Sequence, residues 1–196
     1  MGDAAATKER ILEAGTVEFA TYGIAGARVD RIAANAAINK SQIYSYFGSK
    51  DKLFDAVFDN RVDTDIANIP LDADDIPSYV AALYDMYLGD PELVRLITWA
   101  RLERTPTGAL FHHRGPDHDR AKLDALADAQ RRGVLVDDIT PEDMWSMIIS
   151  LAATWAQSAI IHVADADEDT ETHDRRKAAL ASAVRRAFCS AAEPHT

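Results

Sequence analysis

Two lysines, two tyrosines, three serines and a glutamine crowd the stretch INKSQIYSYFGSK at residues 38–50. These types at this spacing suit contact with a polyanion that also carries hydrogen-bonding edges. Glutamine can pair bidentately with adenine and serine can pair with several bases. Tyrosine hydroxyls and lysine ammonium groups suit phosphates, which fix position rather than sequence. With Ile43 at the centre of a buried helix face and about 100° per residue, Phe47 falls beside it, and Lys40 and Tyr46 flank that face. Ser41 and Ser45 then point away from the core, with Gln42 and Tyr44 to either side. The same residues also have a purely structural reading. Gln42 can close a capping box with Asn39, the tyrosines can pack on a neighbouring helix, and the lysines can simply be solvated.

Such a face needs elements to hold it. Apolar residues recur at helical spacing along the chain, alternating strand-like runs are absent, and Gly or Pro marks most breaks, so the chain reads as all-α. A first helix spans about 7–22, with Ile11, Gly15 and Phe19 on one face and Gly23 as its stop. A short second helix covers about 29–36 and a third about 40–47, separated by only Ala37, Ile38 and Asn39. That is the layout of a helix-turn-helix, two helices held at a steep angle by a short turn. Asn39 is placed to cap the third helix, Ile38 and Ile43 to staple it, and Ser49 to cap a fourth helix carrying Leu53, Phe54, Val57 and Phe58.

The charge agrees. The 196-residue chain carries a formal net charge of −11, an ordinary soluble composition with 47% apolar and 27% charged residues. An acidic body repels nucleic acid, so only a locally basic face can bind it. Residues 26–52 provide one, with Arg28, Arg31, Lys40, Lys50 and Lys52 against Asp30 and Asp51. The lone Cys189 forms no intramolecular disulfide, and the polar start MGDAAATKER is no signal peptide, which together fit a cytoplasmic protein. Residues 144–164 hold no charge over the length of a membrane span. Ser146, Ser150, Thr154, Gln157, Ser158 and His162 form a polar stripe along it, so it reads instead as a buried helix at a subunit interface, with no membrane partner.

AGARVDRIAANAAINKSQIYSYFGSKDKLFDAV (25–57), with ERILEAGTVEFATYGIAG (9–26) before it, resembles the DNA-binding segment of the tetracycline-repressor (TetR) family of transcriptional regulators. The Tyr44–Phe47–Ser49–Lys50–Leu53 spacing together with the helix-turn-helix carries the likeness. It covers about the first 60 residues. The resemblance implies a DNA-binding domain at 1–60, and an effector-binding and dimerisation domain at 61–196. It implies DNA contacts from Arg28, Asn39, Lys40, Ser41, Gln42, Tyr44, Ser45, Tyr46 and Lys50, with Lys40, Ser41, Gln42 and Ser45 toward bases and the tyrosines, Arg28 and Lys50 toward phosphate. Ala37 stands where the family usually has glycine, which costs about 1 kcal/mol if that residue is left-handed. Tyr46, Ser41 and Gln42 also depart from frequent family residues, so no operator sequence carries over from the family.

Beyond a Pro- and Asp-rich loop at 69–77, helices are expected at about 78–88, 91–104, 117–132, from Pro141 onward, and 172–191. The last two are rich in alanine, which permits close helix approach. Ala152, Trp155, Ala156, Ala159, Val184 and Phe188 are the candidate dimer interface, since the family resemblance implies a four-helix contact between two copies. Tyr87, Trp99, Phe111 and Met147 are candidate ligand-binding residues for a small, largely apolar effector of unknown identity, which would act on the reading heads through the fourth helix. These large groups can equally be ordinary core. A different class of function is raised by HHRGPDHD (112–119), whose histidines and aspartates invite a metal-binding or metal-dependent hydrolase reading. Its spacing matches no ligand motif on a regular element, and Gly115-Pro116 points to a solvated loop. No Ser/His/Asp set, phosphate-cradling glycine loop or carboxylate pair can be picked out, so the sequence points away from an enzyme and calls for no cofactor or metal. The reading is a dimeric one-component regulator, a repressor of a palindromic operator released by an effector.

Overall fold

The computed structural model describes residues 2–63, 69–111 and 119–190. Among them the chain forms nine helices: α1 (Gly2–Gly26), α2 (Val29–Asn35), α3 (Lys40–Phe47), α4 (Lys50–Arg61), α5 (Ile76–Gly89), α6 (Pro91–Glu103), α7 (Arg120–Arg131), α8 (Pro141–Ala152) and α9 (Thr170–Phe188). Most starts carry local signals. Asn39, Ser49, Asp90, Thr140 and Asp169 each accept a backbone N–H from the first turn, and Pro91 and Pro141 sit in the first turns of α6 and α8.

The chain divides into two compact units, Met1–Asn68 with Asp90–Leu110, and Ile69–Gly89 with Phe111–Thr196. The sequence division at residue 60 differs from this, because α6 packs on α1 and α4 rather than with the later helices. In the first unit, Ile11, Phe19, Ile32, Ile43, Leu53, Phe54, Leu93 and Leu96 are fully buried. Phe19 and Phe54 meet edge to face with centroids 5.2 Å apart. Gly15 lets α1 approach α4 closely: a Cβ there would lie 2.8 Å from a Val57 methyl carbon. At Gly23, where the sequence places a stop, φ 72° and ψ 177° break the helical backbone, and a short turn to Gly26 continues α1 beyond the kink. A Cβ on Gly23 would meet the Glu103 carboxylate at 2.7 Å and the Trp99 ring at 3.0 Å.

In the second unit α5 lies along α9 and α8, and α7 packs on α8. Its core contains Ile76, Leu83, Leu126, Met144, Ile148, Leu180, Val184 and Phe188. After α7 the chain returns along the end of α9 through Val136 N–H to Phe188 O and Ser190 N–H to Val134 O. The Gln130 amide ties down the same loop by donating to the carbonyls of Val136 and Ile139.

Three expectations are corrected here. The helix opened by Pro141 ends at Ala152 instead of running to residue 164. Ser146, Ser150 and Thr154 turn their hydroxyls back onto the carbonyls of Glu142, Ser146 and Leu151, and such bonds compete with and bend a helix. The chain then makes an irregular excursion, closed by Ala164 N–H to Trp155 O at 2.8 Å. Second, Ala152, Ala156, Val184 and Phe188 are buried inside their own unit, so they offer no surface to a second copy; Trp155 and Ala159 are half-buried. Third, Met147 is 45% exposed on the flank of α8, beside the buried Met144 and Ile148, so it is no interior residue of this unit.

Two residues of this excursion, a strap between α8 and α9, meet α9. The Arg176 guanidinium, itself buried, holds Glu168 through both terminal nitrogens and lies 2.8 Å from His162 Nε2. Arg176 holds the Glu168 carboxyl down at about 2 from its ordinary 4.5, helped by the Asp165 N–H. The Tyr84 hydroxyl meets His173 Nδ1 at 2.7 Å beside them. The excursion leaves Ile160 and Ile161 almost fully exposed, at 97% and 94%.

Candidate nucleic-acid interface

Helices α2 and α3 are joined by a turn in which Ala37 is left-handed, with φ 54°. That single residue lets Ile38 N–H reach back to Ala33 O at 3.0 Å and end α2. Asn39 then starts α3 with a full capping box. Its Oδ1 accepts from Gln42 N–H at 2.9 Å, and Gln42 Oε1 accepts from Asn39 N–H at 3.2 Å. The Ser41 hydroxyl donates to the same Asn39 Oδ1. So the two roles open to Gln42 from sequence resolve at one end: its carbonyl oxygen is part of the cap.

The α3 face matches the helical projection. Ile43 and Phe47 are buried, and Ser41, Gln42, Tyr44, Ser45 and Tyr46 are exposed, each tyrosine at 42%. Neither tyrosine packs away into the core. Lys40 instead pairs with Asp30 of α2, with Nζ 3.0 Å from the carboxylate, which raises the lysine pKa and keeps it charged. The Lys50 ammonium donates to the carbonyls of Ala25 and Ala27, both at 3.2 Å. It thereby holds the α1–α2 corner, and a lysine has three donors, so one remains for an anion. Arg28 lies exposed just before α2, and no side-chain hydrogen bond or ion pair of its guanidinium is found among the described residues.

Several supporting groups were not singled out in the sequence. Glu18 is buried in α1, where it accepts from Arg28 N–H at 2.7 Å and pairs with Arg31 at 2.6 Å. Arg31 also lies 4.1 Å over the Tyr22 ring. A buried charge survives only when paired and hydrogen-bonded in this way, and the result locks the entry to α2. Helix α6 grips the same corner from the other side. Arg95 Nε donates to Ala20 O at 2.7 Å, Trp99 Nε1 to Ala20 O at 3.3 Å, and the Glu103 carboxylate accepts from Ala25 N–H at 2.7 Å. Arg104 pairs with Asp51 and Asp55 on α4 and lies 4.9 Å over Phe54. The spacing 95, 99, 103 is a helical face, legible in the sequence, but its target is not. Trp99 is therefore part of the reading unit, whereas Tyr87 is buried in the other unit.

The rest of the candidate chemistry is sparse. In HHRGPDHD all but Asp119 lie outside the described residues, and among the described residues no three His, Cys, Asp or Glu side chains converge to hold a metal. Among the described residues no helix is long and apolar enough to cross a membrane.

Comparison with known proteins bears on this geometry directly. Residues 11–57 match the family described as "Bacterial regulatory proteins, tetR family", and residues 75–186 match "Tetracyclin repressor-like, C-terminal domain". The chain is 40% identical over 154 residues to the HTH-type transcriptional repressor SCO4008 of Streptomyces coelicolor, covering 79% of this chain and 80% of that one. It is 31% identical over 160 residues to the HTH-type transcriptional repressor NicS of Pseudomonas putida, covering 74% and 73%. The crystal structure of SCO4942 from Streptomyces coelicolor superposes with a TM-score of 0.76 at 37% identity, over 93% of this chain and 98% of that chain. With matches that span both the helix-turn-helix and the later helices, this chain belongs to the TetR family and is a DNA-binding transcriptional regulator.

Proposed function

We propose that the chain is a cytoplasmic repressor whose dimer sets two copies of α3 into successive major grooves of a palindromic operator, and that a small-molecule effector weakens this binding. The observation that carries the proposal is the exposed face of α3, polar and hydroxyl-rich, raised on a buried Ile43–Phe47 base and flanked by cations. In this reading Ser41, Gln42 and Ser45 meet base edges. Arg28, Tyr44, Tyr46 and the third donor of Lys50 meet phosphates, Lys40 joins them once it leaves Asp30, and Asn39 shapes the surface as the cap. The related SCO4008 and NicS are named repressors, which supports the sign of the regulation. The role is recognition, and no catalytic step is assigned.

The effector site is proposed in the second unit, near Tyr87 and Phe111. The Tyr87 phenol is buried, which pushes its pKa up to about 12, and the Tyr79 hydroxyl on the same helix is buried with no hydrogen-bond partner among the described residues. A small, largely apolar molecule with one polar group would satisfy such a site. The dimer face is proposed on the outer side of α8 and the strap after it, where Met147, Trp155, Ala159, Ile160 and Ile161 carry the exposed or half-exposed apolar surface. The test is fluorescence anisotropy with a labelled duplex selected from a random pool. Binding far tighter than to a scrambled duplex, lost on adding an effector, is expected; equal affinity for both duplexes overturns the function.

A further inference from the structure

The corner between α1 and α2 holds a guanidinium that is fixed in place and only partly used. An arginine has five N–H donors in one rigid plane. Arg31 directs its Nε to the Glu18 carboxylate, at 2.9 and 3.0 Å, and its Nη2 to Glu18 Oε1 at 2.6 Å and Gly26 O at 3.2 Å. The two N–H groups of Nη1 meet no acceptor among the described residues, and the side chain is 35% exposed. Two supports hold the plane. Glu18 is buried, and the guanidinium carbon lies 4.1 Å from the centre of the exposed Tyr22 ring.

A second cation sits on the same turn. Lys50 donates to Ala25 O and Ala27 O, on either side of the Gly26 carbonyl that Arg31 holds, so the two cations share three consecutive carbonyls. Arg28 follows directly, with its guanidinium exposed. From this we infer that Arg31 is a further phosphate contact, meeting the operator backbone through Nη1 beside Lys50, with Glu18 and Tyr22 as its positioning residues. A guanidinium suits phosphate oxygens because its donors lie in a fixed fork, and one already locked loses little freedom on binding. Glu18 balances the arginine's charge, so the contact is a directed hydrogen bond more than a gain in net charge. Glu103, the other carboxylate at this turn, is engaged by Ala25 N–H. The inference rests on the proposal that the α3 face meets DNA, and adds a backbone contact outside that helix.

The experiment measures binding of the full-length protein to a duplex selected from a random pool, with a single uncharged methylphosphonate placed at each backbone position in turn. The main variant is Glu18→Gln with Arg31→Gln. Together these leave the net charge at −11, replace the ion pair with an amide pair, and keep an oxygen for the Arg28 N–H. Wild type should lose affinity roughly tenfold at one backbone position per half-site that the variant does not feel. The variant should bind the selected and a scrambled duplex more weakly than wild type by the same factor, because phosphates carry no sequence. Its thermal unfolding reports the fold. Arg31→Lys serves if the double variant does not fold: it keeps the charge beside Glu18 but lacks the second terminal nitrogen, so it too should be insensitive at that position. A folded double variant that binds as tightly as wild type overturns the inference. So does a scan in which every position that weakens wild type weakens the variants equally, which would leave Arg31 a tie between α1 and α2 and the reading of α3 standing. A wild type that selects no duplex from the pool overturns the reading of α3 as well.

Discussion

At the scale of single residues, two features of the reading head are held under tension. Ala37 adopts φ 54°, a conformation that costs a residue with a Cβ about 1 kcal/mol. It does so because the turn must place Asn39 to cap α3, and the cap and the buried Ile43 outweigh the strain. Ala37→Gly should therefore stabilise the protein by about 0.5–1 kcal/mol in urea denaturation; a loss of stability would mean that chain entropy dominates there. Asp30 is the second. It pairs with Lys40 and, in the proposed complex, adds negative charge where phosphates would approach. Asp30→Asn should raise operator affinity at low salt, with the gain shrinking as salt screens the interaction. An anisotropy titration in two salt concentrations measures this, and unchanged affinity in both would remove Lys40 from the contact.

Helices and their connections carry a different kind of information. Helix α6 is short and amphipathic, and its Arg95, Trp99, Glu103 and Arg104 converge on the end of α1 and the start of α4. The glycine at the kink is required there, since a Cβ would strike both Trp99 and Glu103. In the other unit the strap after α8 is pinned by Arg176 and Glu168. The Glu168 carboxyl is depressed from 4.5 to about 2 in the folded protein. A depressed acid stabilises the fold above its unfolded value, and that contribution is lost as pH falls from about 4.5 toward 2. Acid unfolding of wild type should steepen across this window, and Glu168→Gln should unfold with a flatter acid limb from a lower starting stability. Identical acid profiles would show that the pair is not retained in solution.

For the whole molecule, the acidic body and the small basic face set how it meets DNA. Most of the −11 charge lies outside the first 60 residues, so affinity depends on the few cations of the head and, in the proposed dimer, on two heads acting together. Ile161 is 94% exposed and lies on the proposed contact surface of the second unit. Ile161→Glu should give a monomer in sedimentation velocity and lower operator affinity by roughly 10²-fold or more; a dimer with unchanged affinity would move the interface elsewhere. The sequence by itself determined the all-α class, the caps at Asn39 and Ser49, the helix start at Pro141, the helix-turn-helix and the outward set Ser41, Gln42, Tyr44, Ser45 and Tyr46. All of these depend on hydrogen bonds or periodicity within about one turn, so neighbouring residues contain the whole cause. Tertiary structure alone decided that α6 belongs to the reading unit, through bonds between residues 75 and 78 positions apart. It likewise decided that Glu18 is buried under Arg28 and Arg31, that α8 stops at Ala152, and that Val184 and Phe188 are core rather than interface. An apolar or charged side chain has the same local pattern whichever surface it meets, and only the packing of distant elements chooses that surface.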